Sequence, residues 1–174
     1  STFLLCFSLS LVFHTKIMSF SSPLQLACQF DSFLRELEVD VVGCSEDVTG
    51  WVIEVSDTVI FPEGGGQPSD KGWVVSKGKE GGEHLLPIHY SQRSELGAIL
   101  HFTEKEFKVG SKILLRVDWE RREDHMVHHS TQHLLSALAQ QLWGWKTTGW
   151  ELRPNECNVE FLPPGSGGEG GKTG

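Results

Sequence analysis

Six short segments between residues 38 and 119 restrict the fold of this chain more than any other feature. Each is rich in Val, Ile, Leu or Trp, and glycines or charged clusters separate them, as is typical of short β-strands. Six strands at this spacing favour a small barrel or sandwich over a helical domain. The predicted strands are Glu38–Cys44, Trp51–Phe61, Gly72–Ser76, His84–Tyr90, Ala98–Thr103 and Lys112–Trp119.

A long helix is predicted directly after these strands. No glycine or proline occurs from Asp118 to Trp143, and leucines recur at helical spacing at positions 134, 135, 138 and 142. Asp118 is the predicted N-cap, Glu120 lies in the first turn where a negative charge favours the helix dipole, and Gly144 suits the C-terminal end. Two short extended pieces, 146–151 and 158–162, follow the helix.

These elements predict an α+β protein with a small N-terminal β-barrel-like domain, residues 18–117, followed by an incomplete α+β domain, residues 118–162. The last twelve residues, 163–174, form a Gly-rich tail that we expect to be disordered. Residues 3–13 are apolar, but no basic residue precedes them and they are too short to span a bilayer, which takes roughly 20 residues. We therefore favour an upstream extension outside the fold for residues 1–17 and keep a targeting segment as the alternative.

The charge and cysteine content exclude little. With 15 basic and 23 acidic residues the net charge is -8, so the chain as a whole does not indicate a nucleic-acid partner, although a local basic strip would be enough for one. The four cysteines are scattered and form no CxxC pair, which predicts buried thiols in a reducing compartment.

The predicted helix carries a pair of histidines, His129 and His133, at positions i and i+4. Side chains at this spacing lie on one helical face, so both imidazoles can reach one cation, and neutral imidazole is an ordinary zinc ligand. The zinc-protease motif is excluded because Ser130 stands where that motif needs a glutamate. The spacing alone leaves both a metal site and a solvated helix face open.

A second unusual segment, FPEGGGQP, lies between two predicted strands. Its successive glycines, Gly64, Gly65 and Gly66, let the backbone approach a ligand closely and expose its N–H groups. A flexible hairpin loop is the alternative, but the flanking Pro-Glu and Gln-Pro make the segment more specific than a generic linker.

The ordered set FPEGGGQPSDKG, RVDWERREDHM and HSTQHLL resembles the editing family of alanyl-tRNA synthetases, in particular its freestanding members, the alanyl-tRNA editing proteins. The resemblance covers roughly residues 26–161. It implies a barrel-like domain that carries the Gly-rich loop and an α+β editing domain that carries zinc. The implied activity is hydrolysis of serine or glycine wrongly esterified to tRNA(Ala), in the service of translation fidelity, and the family also implies nucleotide (ATP) binding.

The resemblance also assigns residues. His129 and His133 correspond to the first two zinc ligands, and Gln132 takes a position that lines the amino-acid pocket in relatives. The glycines at positions 64–66 are expected near the pocket entrance. Three arginines near the helix start, Arg116, Arg121 and Arg122, could contact tRNA phosphates, although a solvated helix end explains them equally well.

The sequence departs from the family in one respect. The remaining zinc ligands of the family come from a later Cys…Cys-Gly-Thr-His-like segment that this sequence lacks, and the setting of Cys157 does not match it. Because zinc normally needs at least three protein ligands, we expect this chain to be inactive or nearly so. The alternatives are a non-catalytic isoform that binds tRNA or a protein, and a fragment without a stable fold. We expect a cytoplasmic location, no membrane association and no firm protein partner.

Overall fold

A computed structural model describes residues 25–77 and 81–166 of this protein. The predicted extension, residues 1–17, and most of the predicted tail, 167–174, lie outside the described residues. The elements in chain order are α1 (Ala27–Phe30), β1 (Glu36–Asp47), β2 (Gly50–Val55), β3 (Gly72–Lys77), β4 (Glu83–Arg93), β5 (Ile99–Thr103), β6 (Lys112–Val117), α2 (Trp119–Trp143), β7 (Lys146–Arg153) and β8 (Glu156–Leu162).

Strands β1 to β6 form a closed antiparallel barrel in the order β1-β2-β5-β4-β3-β6. A bulge at Val41/Gly43 interrupts the pairing of β1 with β2, and a second bulge at Ile88/Tyr90 interrupts the pairing of β4 with β5. Such bulges bend a strand and increase its twist. The predicted α+β class and the predicted barrel are both confirmed.

The core of the molecule fills the barrel. Alternate residues of each strand point inward, so β-branched and leucine side chains from facing strands meet there. The buried apolar side chains contributed by the strands include Val39, Val41, Ile53, Val55, Val74, Ile88, Ile99, Ile113, Leu115 and Val117. Two apolar residues of the segment after β2, Val59 and Ile60, are also fully buried.

The second strand is shorter than predicted. It ends at Val55 and not at Phe61. Beyond Val55, several backbone N–H groups donate hydrogen bonds to side chains and not to a neighbouring strand. The Thr58 hydroxyl accepts a hydrogen bond from the Ile60 N–H at 2.9 Å, and the Asp70 carboxylate accepts one from the Phe61 N–H at 2.8 Å. The apolar run is therefore buried, as a strand would be, but in irregular backbone.

Helix α2 follows the prediction at both ends. The Asp118 side chain accepts a hydrogen bond from the Arg121 N–H, Glu120 lies in the first turn, and Gly144 ends the helix in the left-handed conformation at φ 68°. The two-stranded sheet of β7 and β8 packs along α2. The short helix α1 was not predicted; Gln29 caps it by accepting a hydrogen bond from the Leu26 N–H at 3.2 Å.

The predicted boundary between residues 117 and 118 falls where β6 ends and α2 begins. The predicted domain limits themselves stay a prediction. The three cysteines of the described ranges, Cys28, Cys44 and Cys157, are free. Within the part of the chain that the structure covers, no helix is long and apolar enough to cross a membrane.

Candidate functional site

The histidine pair lies on one face of α2. The ring centroids of His129 and His133 are 4.8 Å apart with an angle of 26° between the ring planes, so the two imidazoles are stacked. His129 is half-buried and His133 is exposed. The spacing therefore brings the two imidazoles together as predicted, with one ring against the protein and the other facing solvent.

The three glycines form a tight turn. The backbone groups of Gly64 and Gln67 pair with each other at 3.0 and 3.2 Å. The two residues between them, Gly65 and Gly66, have φ values of 59° and 79°. Positive φ at both central positions is the geometry of a two-residue hairpin turn that side chains tolerate poorly, so the turn requires glycine at positions 65 and 66.

The turn reaches helix α2 through one side chain. Gln67 is 7% exposed, and its Oε1 lies 2.7 Å from Nδ1 of His129. The indole of Trp150 on β7 stacks on the same histidine, with its ring centroid 5.4 Å from that of His129. The barrel loop, the helix and the β7–β8 sheet thus meet at His129, and the structure places the predicted glycine segment beside the predicted histidine pair.

The protonation state of His129 follows from this burial. Removal from water lowers the pKa of the imidazole, and the positive charge that His133 carries when protonated lowers it further. Both effects disfavour the imidazolium form. The neutral form that they favour is the one that can ligate a metal.

Gln132 is buried on the same helix, only 3% exposed. Its Nε2 donates to the Ser136 hydroxyl at 3.1 Å, and its Oε1 has no hydrogen-bond partner among the described residues. An unpartnered buried amide oxygen is costly, on the order of 1–3 kcal/mol. The role of this residue in binding an amino acid stays a prediction.

Arg122, predicted to contact a phosphate, is instead buried in the protein and only 2% exposed. Its Nε donates to Asp70 at 2.6 Å, and its other two nitrogens donate to the carbonyls of Val59 and Ser32 at 2.7 and 3.1 Å. The guanidinium therefore joins α2 to the barrel. This burial argues against a phosphate contact for Arg122. The predicted contact stays a prediction.

The other two arginines are already engaged. Arg116 makes a two-point contact with Glu83, at 2.6 and 2.9 Å, and also pairs with Glu36. Arg121 donates to the Ser69 carbonyl at 3.1 Å and lines an open cleft of about 320 Å³ together with Lys71, Glu120 and Asp124. The charges of this cleft are mixed, so the helix start does not form the basic strip that phosphate binding favours.

The histidine pair has the chemistry of a zinc site but too few donor side chains for one. Two stacked imidazoles, one with its Nδ1 held by an outer acceptor, fit zinc in chemistry, since metal-binding histidines usually donate their other N–H to such an acceptor. Over residues 25–77 and 81–166, however, no group of three or more His, Cys, Asp and Glu side chains is arranged so that it could hold a metal ion. The pair of histidines is therefore smaller than the set of at least three protein ligands that a zinc site needs, and its role as a zinc ligand stays a prediction.

Two residues of this site were missed by sequence reasoning. Gln67 adjoins the glycine segment and its Gln-Pro pair was noted as unusual, but its contact with a histidine 62 positions later could not be inferred. Trp150 carried no signal, because a tryptophan in a short extended segment is an ordinary feature of sheet packing.

No protein-family model matches the chain. Curated proteins do. The chain is 41% identical over 150 residues to the alanyl-tRNA editing protein Aarsd1 of Mus musculus, which covers 79% of this chain and 34% of that protein. It is 35% identical over 136 residues to the putative alanyl-tRNA editing protein alaX of Saccharomyces cerevisiae, covering 73% of this chain and 30% of that protein.

A more distant match is the alanyl-tRNA editing protein AlaX-L of Pyrococcus horikoshii, 32% identical over 130 residues, which covers 75% of this chain and 31% of that protein. The chain therefore spans about a third of the length of the curated relatives it matches.

Proposed function

We propose that this chain, which belongs over its matched residues to the family of alanyl-tRNA editing proteins, supplies part of a site that hydrolyses mischarged tRNA(Ala). The ester that we propose as substrate joins serine or glycine to the 3′ end of that tRNA. The observation that carries the proposal is the contact between Gln67 of the glycine turn and His129 of the histidine pair.

In the proposed site, His129 and His133 bind zinc through the ring nitrogens that the protein leaves free. Zinc, when bound, would polarise a water molecule or hold the amino group of the substrate. Two residues would support the ligands. Gln67 orients the His129 ring, and Trp150 shields one face of that ring from water.

We further propose that Gln132 contributes to the choice of amino acid. Its Oε1 is buried and unpaired among the described residues, so it could accept a hydrogen bond from the hydroxyl of a serine ester. A site that bonds a hydroxyl rejects the analogue without it far more strongly than a site that discriminates by size. Alanine and glycine both lack the hydroxyl and would leave this acceptor unpaired, so the contact would favour the serine ester alone.

We expect the 174-residue chain to bind zinc weakly and to hydrolyse the ester slowly or not at all. The reason is the ligand count, since the described residues bring together two nitrogen donors where zinc usually takes three or four protein ligands.

The test is a Zn²⁺ titration of the purified chain, followed by a deacylation assay with Ser-tRNA(Ala). We expect His129→Ala and His133→Ala each to abolish Zn²⁺ binding, whereas His84→Ala, at an exposed position on the barrel, serves as the control. Zinc binding that survives both replacements would refute the proposed metal site. Fast deacylation by the chain would refute the expected low activity and leave the editing function in place.

A non-catalytic tRNA-binding role is the second candidate, and the closed barrel together with the incomplete donor set favours it. In that case tRNA(Ala) would bind without turnover, and the affinity would fall steeply with salt because phosphate contacts release counterions. Filter binding at 50 and 200 mM salt, with uncharged and Ser-charged tRNA(Ala), separates the two roles. Equal affinity for both tRNAs without hydrolysis would favour the binding role.

A further inference from the structure

His129 is held from two sides by residues that lie outside its own helix. The Nδ1 atom of its ring contacts Oε1 of Gln67 at 2.7 Å, and the ring face stacks on the indole of Trp150. His133, one turn further along, has no hydrogen bond to its ring nitrogens within the described part of the chain and is exposed. The two imidazoles of the pair are therefore not equivalent.

The contact with Gln67 determines which ring nitrogen of His129 carries the proton. A side-chain amide oxygen can only accept a hydrogen bond, so Nδ1 of His129 must be the donor. In a neutral imidazole only one nitrogen bears hydrogen. The lone pair is then on Nε2, the atom that remains free to bind a cation.

Gln67 is itself held in place. Its N–H donates to the Gly64 carbonyl at 3.0 Å, and its own carbonyl accepts from the Gly64 N–H at 3.2 Å. The side chain is 7% exposed, so few other rotamers are open to it. The absence of a side chain at Gly66 lets Trp150 pack against the turn next to Gln67.

We propose that Gln67 is a positioning residue that selects the Nδ1–H form of His129 and directs its Nε2 toward the cation shared with His133. The assignment of a cation rests on the proposed function. The selection of the ring form does not, because it follows from the hydrogen bond alone. Gln67 would act through His129 and would not contact the substrate itself.

The first measurement uses the metal-free chain. Long-range ¹H–¹⁵N correlation spectra distinguish the two neutral forms of a histidine ring. We expect the Nδ1–H form for His129 in the wild type and a shift toward the Nε2–H form in Gln67→Leu, which has a similar size but no acceptor. Gln67→Glu keeps an acceptor oxygen and should retain the Nδ1–H form. Gln92→Leu, at a half-buried position on β4, is the matched control.

The second measurement is the affinity for Zn²⁺ alone, determined by competition with a chelator. Loss of an outer hydrogen bond to a metal-binding histidine typically weakens binding about 10–100-fold. We expect a loss of this size for Gln67→Leu, a smaller one or none for Gln67→Glu, and none for Gln92→Leu. Far-UV circular dichroism and the unfolding midpoint establish that each variant is folded.

The outcomes separate the two proposals. An Nε2–H form of His129 in the wild type, or a ring form unaffected by Gln67→Leu, would overturn the role of Gln67. A change of ring form without Zn²⁺ binding in any variant, the wild type included, would retain the selection by Gln67 and overturn the proposed zinc site. If Gln67→Leu does not fold, Gln67→Met repeats both measurements with a flexible side chain that also lacks the amide acceptor.

Discussion

The indole of Trp150 covers Gly66 so closely that a Cβ atom built on the glycine would lie 2.2 Å from Cζ2 of the ring. No side chain fits there, so the close packing of strand β7 on the hairpin turn of the barrel requires glycine at position 66. The same indole stacks on His129, so the packing of Trp150 on Gly66 also positions the indole against the imidazole ring.

The three glycines of the turn should therefore differ in their tolerance of alanine. Gly66→Ala combines a clash with a positive φ and should lower the free energy of unfolding by about 2–4 kcal/mol, with displacement of Trp150. Gly65→Ala has open space but a positive φ, and should cost about 1 kcal/mol. Gly64→Ala, with no close neighbour, should cost little. Urea unfolding and the ring-current shift of the His129 protons measure the series, and equal effects at all three positions would contradict it.

Breaking the buried ion pair between Arg122 and Asp70 should destabilise the protein strongly. Both side chains are almost fully buried, at 2% and 0% exposure. Removal of one partner leaves an uncompensated buried charge, which costs about 3–5 kcal/mol. We expect Arg122→Met and Asp70→Asn each to lower the urea midpoint strongly, while Lys108→Ala, at an exposed position, leaves it unchanged. A stable Arg122→Met variant that binds tRNA more weakly would contradict this structural role and support a phosphate contact for Arg122.

The stability of the protein should fall in acid partly because of His101. Burial lowers the pKa of this imidazole from 6.5 to about 3. Between these values the unfolded chain binds a proton that the folded protein does not, so the free energy of unfolding decreases as the pH falls below 6.5. The contribution is about 1.4 kcal/mol per pH unit.

Urea unfolding from pH 7 to pH 4 measures this dependence. His101→Gln, which can still bond the Thr58 hydroxyl, should flatten the curve relative to the wild type, and His84→Gln on the exposed surface should not. Parallel curves for all three proteins would show that His101 does not contribute.

The outer face of α2 should promote self-association. Leu134, Leu138 and Leu142 are 59%, 40% and 62% exposed and follow one another along the helix. An apolar stripe of this kind is an aggregation hazard unless another surface covers it. We expect Leu138→Gln combined with Leu142→Gln to raise the concentration at which light scattering appears, without lowering the unfolding midpoint. Unchanged scattering would mean that this face does not mediate association.

Local features of the sequence predicted most of the elements. The caps of α2 at Asp118 and Gly144 lie at the predicted positions, because a helix end depends on a few neighbouring residues. Strand β5 ends at the predicted Thr103, since a run of β-branched and aromatic residues between turns is a local signal. Two features were not predicted: the short helix α1, and the early end of β2, where side chains such as that of Asp70 replace the sheet partners beyond Val55.

Patterns of neighbouring residues were enough to predict the class of fold, the ends of the long helix and the presence of two imidazoles on one of its faces. The surroundings of those imidazoles depend instead on how the helix, the barrel and the β7–β8 sheet pack together. Arg122 is buried because Asp70 lies opposite it once the helix packs on the barrel, and His129 is held because barrel closure carries Gln67 to a ring 62 residues away. Such contacts depend on how whole elements pack, which propensities and spacings of a few residues do not specify.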